Sequence, residues 1–562
     1  MSTQFLRRVS DVGLVSATQT LPLPFPPNHQ PPPAGDGDVV IMPDPEMMAL
    51  ASDIRELSLI LSANDHNWRP PQPNQGPVQD DLSKALTDIS SILSTDADAP
   101  VAVLGSMDPE NVDVVVVQST TSGSEPPNPF RSPFTARPVA ASLRDVDDIL
   151  LEDDETIGVE DCIAKCLAFF AARQQRTFAS RTIFEWLVAR SWDTLRARLQ
   201  RSRDNFEHGD LFDLIENWSP AIYDDISFAT IPAPPSHVYD KYGLKVYRTA
   251  SGKITFSLEK SNASTLINTL GRILKDVRRT LEDDPVDFAT ALTLVADSLL
   301  FVSCIIEHKA VKRIFTSTTL KRVLIPAWSK GHAEIVRQAL EDSLDPLTLA
   351  DSNFTGEYAL RYVRTITSAA RAVMRISSPK ILPLLADVKV TVISLLKPLS
   401  VPDLSHGVTQ SVVDEIQRRL VTRPRALEEA VKWVRDLAAR KLDTSSCHVH
   451  PEAGVMALIC YPKSRHNVYG EHNRMAMNRE VSICLAQRCC ALCFRLGELL
   501  NRHLDTDHLQ FLLPGTHDVV LPWDPPLFGI PKSVLFQLRD ELQDKLVGLA
   551  ITQGGRNADT RS

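Results

Sequence analysis

The sequence predicts a mainly α-helical domain followed by a small three-layer α-β-α domain, with a disordered leader ahead of both. Three observations lead there. The first 155 residues are interrupted by Pro-rich stretches, Leu21 to Pro33 and Arg69 to Pro77, and by the Ser/Thr/Pro-rich stretch Ser119 to Pro138. From 156 to 442 apolar residues recur at helical spacing. From 443 to 550 short apolar runs alternate with helical ones, the pattern of an α/β domain, and six of the nine cysteines fall there. Residues 551–562 read as a disordered tail.

Within the leader, Glu46 to Leu61 and Asp81 to Leu93 have helical apolar spacing and form two islands. The rest holds too little apolar surface to offset the entropy of ordering, and the acidic run Asp145 to Asp161 reads as a solvated linker. In the helical domain, Leu266, Leu270, Ile273, Leu274, Val277 and Leu281 line one face, and Asp283-Asp284-Pro285 ends that helix. Similar faces recur over Phe288 to Ile306, Glu357 to Ile376, Val412 to Leu420 and Leu427 to Leu437. Ile381 to Leu396 reads as another buried helix. No fixed-period repeat is visible, so the domain is expected to be irregular. Arg418 to Lys441 is rich in Arg and Lys, but Glu428, Glu429 and Asp436 dilute it to a salt-bridged surface.

In the last domain, Val481 to Leu485 suits a buried strand and Cys489 to Leu504 a helix. Leu509 to Leu513 and Val519 to Leu521 read as strands about a turn at Pro514-Gly515. The junction of the first strand and helix carries Cys490-Ala491-Leu492-Cys493, forty residues after His450-Pro451-Glu452. One imidazole and two thiolates suit Zn²⁺, and an open fourth position lets the ion lower the pKa of a water to about 7. Glu452 lies two residues from the His, near enough to shuttle protons. Thiolates at a helix start are favoured by free backbone N–H groups and the positive end of the dipole. Cys489 is an alternative to Cys490, but the C-x₂-C step suits zinc better and makes Cys489 buried filler. His448 as a fourth ligand would close the site. His332-Ala333-Glu334 repeats the tripeptide without a C-x-x-C in reach, and Cys162 and Cys166 lie on an apolar helix as core residues.

These residues carry a resemblance. His450-Pro451-Glu452, the stretch Cys484 to Cys493 and the tail Leu513-Pro514-Gly515-Thr516-His517-Asp518 running on to Leu521-Pro522-Trp523-Asp524-Pro525-Pro526 resemble the cytidine-deaminase-like fold. The likeness is nearest to the fungal branch of the Orientia-type deaminase-like family, in the nucleic acid and nucleotide deaminase superfamily, and covers about 445–530. It implies His450, Cys490 and Cys493 as zinc ligands, Glu452 as proton shuttle, and His517 and Trp523 as pocket wall. The implied activity is zinc-dependent hydrolytic deamination of a cytosine- or adenine-type base in a nucleotide or nucleic acid. The alternative is a catalytically inactive relative whose zinc is structural and whose helical part is a protein-interaction scaffold. Three departures stand out: Ala486-Gln487 where members carry Ser-Lys, Pro451 where a small residue is usual, and no visible β-hairpin ahead of the His motif. The alternating segment Leu244 to Leu258 is the candidate to complete the sheet.

A net charge of −10 argues against a protein that coats nucleic acid non-specifically. The expected partners are a nucleobase-containing substrate, free or in nucleic acid, and proteins at the helical domain or leader. No membrane partner is expected, because Asp297 interrupts Ala291 to Ile306, the longest apolar run. Nine unevenly spaced cysteines fit a reducing compartment, so an intracellular location, cytoplasmic or nuclear, is expected.

Overall fold

The computed structural model describes residues 44–62, 81–93, 101–107, 112–119, 134–142, 149, 158–174, 180–203, 206–232, 238–250, 252–283, 285, 287–325, 355–378, 381–385, 388–395, 407–439, 447–460, 480–485, 489–504, 510–516 and 520–560. They all belong to one compact unit, Met42–Ser562.

The centre of that unit is a sheet whose strands come from distant parts of the chain. β1 (Val101–Met107) and β2 (Val112–Ser119) are runs rich in valine, as suits strands covered on both faces. They pair antiparallel, with Val103 opposite Val116. β3 (Phe134–Val139) pairs antiparallel with β4 (Lys389–Leu395), which runs parallel to β2 with Val392 beside Val116. On the other side, β5 (Glu480–Ser482) and β6 (Cys484–Leu485) are separated by Ile483 alone. β6 pairs antiparallel with β1, setting Cys484 opposite Val103. β5 runs parallel to β7 (Gln510–Leu512), and the Ile483 N–H donates to the Leu512 carbonyl at 2.9 Å. The strand order is therefore β3-β4-β2-β1-β6, with β5 continuing to β7.

Alternation divides the sheet between two cores. Val101, Val103, Val114, Val116, Val390 and Val392 face a helical layer that includes Asp81–Leu93 and Val159–Gln174, in a core that extends to Ala263–Glu282 and Phe288–Ile306. Ala102, Leu104, Val115, Val117, Ile393 and Leu395 face the opposite layer. That second layer contains α1 (Pro45–Ser62), α3 (Gly407–Arg419), α4 (Pro424–Ala438), α5 (Pro451–Cys460), α6 (Ala491–His503) and α7 (Lys532–Thr560). α2 (Asp81–Leu93) lies on the first face through Leu86, Ile92 and Leu93. The chain is thus mainly helical around a small mixed sheet, most of whose strands come from outside 443–550, and most helices fall near their expected bounds.

Several expectations are corrected. The boundary at 155 does not separate leader from fold, because α1, α2 and three strands precede it and bury most of their apolar residues; residues 1–43 lie outside the described ones. The boundary at 442 does not divide the fold either, since β6 closes on β1. Leu244 to Leu258 supplies Tyr247–Arg248 and Ile254–Leu258 to a separate three-stranded sheet with Ala229–Pro232. The run read as a helix over Ile381 to Leu396 instead holds β4, whose Val390-Thr391-Val392-Ile393 is β-branched throughout. Val520 and Leu521 are in no strand, and α7 continues through 560 in place of a tail. The decoy His332-Ala333-Glu334 lies outside the described residues.

Phe288–Ile306 is long and apolar enough to cross a membrane by length and composition, yet 61% of its apolar window is buried inside the fold.

Leu57 of α1 is fully buried in the second core. Leu57→Ala should lower unfolding free energy by about 2–5 kcal/mol in denaturant titration, the cost of a core truncation; an unchanged midpoint would mean that α1 is not part of the core.

Candidate metal centre

Two helix starts meet in the second layer. His450 precedes α5, its carbonyl accepts the Gly454 N–H at 3.0 Å, and Pro451 takes the first helical position, where a missing N–H costs nothing. Cys490 caps α6 with extended backbone, its Sγ accepting the Cys493 N–H at 3.4 Å. A thiolate is thereby held at the positive end of a helix.

Both helices are seated by close approach. Leu395 of β4 occupies the space a side chain at Gly454 would need, and Gly529, at φ +71°, lies against the Ala457 carbonyl. α6 is held on α7 by Arg495, which is buried and donates to both carboxylate oxygens of Glu541 at 2.6 Å and to Glu498 at 2.6 Å. Ser119, at the end of β2, donates to the Val449 carbonyl and ties the His motif to the sheet.

The result is a buried cluster. One donor atom each from His450, Glu452, Cys490 and Cys493 lies within 4.8 Å of every other, and the four residues are 6, 6, 2 and 0% exposed. Cys493 Sγ is 3.5 Å from His450 Nδ1, which is 3.9 Å from Glu452 Oε1. Ligands bonded to one zinc ion at about 2.0–2.3 Å stand about 3.3–3.8 Å apart, so this donor set fits a metal ion. On the far side of the imidazole, Nε2 lies 3.2 Å from the Pro522 carbonyl. That contact favours the tautomer protonated on Nε2, with the Nδ1 lone pair directed into the cluster.

Electrostatics agree. Burial alone would push the Cys490 thiol up, but a hydrogen bond from Cys493 and the charge of His450 hold it well below the ordinary thiol range. Burial and the Cys490 thiolate push Cys493 well above that range. Burial disfavours a charged His450, yet the Cys490 thiolate, Glu452 and the Pro522 carbonyl outweigh it and raise the imidazole to about 9. Burial also raises Glu452, against the opposing charge of His450. The metal-free cluster therefore retains protons that a cation would displace.

The structure brings together all four residues that spacing had paired. Cys489 stays out of the cluster, donating its backbone N–H and its thiol to the Gly515 carbonyl at 3.1 and 3.0 Å. His448 stacks near His450, ring centroids 4.9 Å apart, and is not one of the four donors. Trp523 is fully buried next to Pro522, whereas His517 and Ala486-Gln487 lie outside the described residues. Sequence reasoning missed Ser119, Arg55, Ser58 and Asp524. The Val112 to Val117 run was the available signal for the first, as β-branched as any buried strand. The chain matches no family model, no curated protein and no solved structure.

Purified protein is expected to carry one divalent ion per chain by elemental analysis. Cys490→Ser, Cys493→Ser and His450→Ala should lose it and Cys489→Ser should keep it, with loading weaker in acid because protons compete for the same donors. Equal metal in all five proteins would exclude this cluster as the site.

Proposed function

We propose that this chain is a zinc-dependent hydrolytic deaminase of the cytidine-deaminase-like fold, related to the fungal branch of the Orientia-type deaminase-like family. Its substrate is a cytosine- or adenine-type base in a nucleotide or nucleic acid. The observation that carries the proposal is the buried cluster of His450, Glu452, Cys490 and Cys493, assembled from the starts of two helices on one face of a sheet. Further support comes from the antiparallel pair β1 and β2, which precedes the His motif in the chain and shares a sheet with β6.

Deamination replaces a ring amino group with the oxygen of water and releases ammonia. A bound zinc ion supplies Lewis acidity, bringing the pKa of water to about 7. His450, Cys490 and Cys493 would hold the ion, with the imidazole turned by the Pro522 carbonyl. Glu452, buried and 3.9 Å from His450 Nδ1, is placed to accept a proton from water and return it to the ring nitrogen or the departing amine. The apolar surroundings, Ala453, Leu492 and Trp523 among them, exclude bulk water and strengthen each of these interactions. All nine cysteines are free, in keeping with a reducing location in the cytoplasm or nucleus.

One observation favours a second reading. The Glu452 carboxylate is itself within the 4.8 Å set and could close the coordination, leaving a structural metal and an inactive scaffold that binds proteins through its helices.

Glu452→Ala separates the two. A proton shuttle predicts a variant that keeps its metal and loses about 10²–10⁴-fold in turnover, followed as ammonia release from nucleosides, nucleotides, single-stranded DNA and RNA. Loss of the metal itself on this substitution, with no deamination by the wild type, would instead establish the structural role.

A further inference from the structure

α1 comes from the stretch that composition marks as leader, yet it reaches the backbone that orients a metal ligand. For Nδ1 of His450 to offer a lone pair to a cation, the ring proton must sit on Nε2, and the Pro522 carbonyl 3.2 Å away is its acceptor. That carbonyl belongs to a segment without secondary structure, so its position depends on its neighbours. On one side the Asp524 N–H donates to the His448 carbonyl at 3.0 Å, setting the segment against the residues leading to His450. On the other side lie contacts from α1. The Trp523 N–H donates to Ser58 Oγ at 3.2 Å. The Ser58 hydroxyl lies 3.3 Å from the Trp523 carbonyl and 2.8 Å from that of Arg55. Arg55 Nε pairs with the Asp524 carboxylate, and the two side chains are only 12% and 4% exposed.

A buried ion pair costs desolvation that its attraction only roughly repays, so Arg55–Asp524 is weak as a source of stability. We propose that Arg55 and Ser58 are positioning residues of the metal centre: they fix residues 522–524 so that the Pro522 carbonyl holds His450 Nε2 and Nδ1 faces the cysteines. The proposal rests on the metal reading of the cluster. It makes α1 an intramolecular strap that adds to the Asp524–His448 backbone bond in fixing the acceptor of His450 Nε2.

The test uses the full chain stripped of metal and titrated with Co²⁺ and Zn²⁺ against a chromophoric chelator. Wild type is compared with Ser58→Ala, Arg55→Gln and Arg55→Lys. Arg278→Gln is the control, because the Arg278–Asp210 pair is equally buried but lies in the other core. Ser58→Ala and Arg55→Gln should bind either ion about 10–100-fold more weakly and shift the ligand-field bands of the Co²⁺ protein. Arg55→Lys should recover part of the affinity. Arg278→Gln should unfold at lower denaturant while keeping wild-type affinity and spectrum, which separates positioning from general destabilisation. Wild-type affinity and spectrum in folded Ser58→Ala overturn the proposal, and this milder variant decides the matter if Arg55→Gln does not fold. If the wild type binds neither ion, the metal reading falls and the proposal with it; if the wild type binds and the variants are unaltered, only the positioning role is lost.

Discussion

The fold hangs on the antiparallel pairing of β1 with β6. Val103 lies opposite Cys484 in that ladder, so a strand near the beginning of the chain is bonded to the one that leads into the cysteines. On its other edge β1 carries β2, and β2 carries β4. Remove β1 and the sheet parts into a piece that follows Ser119 toward the His motif and a piece that carries the cysteine helix. The donors of the metal centre would then be held only by the packing of their helices on each other and on α7. Backbone pairing is weak per residue, but apolar layers on both faces exclude the water that would otherwise compete for each N–H and C=O.

Placing four ionisable groups in that core is unfavourable in itself. Each is nearly solvent-free, and a charge out of water must be paired or neutralised. The metal-free chain does both: Cys490 and His450 form a charge pair, while Cys493 and Glu452 are pushed toward their protonated forms. A divalent cation is a better solution, since it takes up the negative charge and satisfies the lone pairs together. The same low-dielectric setting that makes the empty cluster costly makes the loaded one chemically potent. Surrounding contacts then keep the helix starts from drifting apart, with Arg495 and Glu541 on one side and Gly454 packed on Leu395 on the other.

How much of this could be read in advance depended on the range of the interaction. Ala263–Glu282 was legible because Leu266, Leu270, Ile273, Leu274, Val277 and Leu281 share one buried face, a periodicity contained in a single helix. The cluster was legible because its chemistry needs His, Glu and two Cys at spacings set by local helix geometry. β1 and β2 were hidden by their Pro-rich flanks, although Val112 to Val117 alone marks a doubly covered strand. β4 was misread because a continuous apolar run suits a buried helix and a buried strand alike. Arg55 was beyond any local rule, since its partner Asp524 is 469 residues away. Pairings at such distance depend on tertiary structure and leave no periodic trace.

That separation along the chain also governs how the molecule is made. As the polypeptide leaves the ribosome, the β1–β2 hairpin emerges hundreds of residues ahead of β6, the strand that covers the outer edge of β1. In the interval a valine-rich edge presents unpaired amides and carbonyls to other nascent chains. Long-range closure of this kind is slow and open to misassembly. The protein thus carries a biosynthetic vulnerability that its finished structure conceals: the edge stays open until β6 is made.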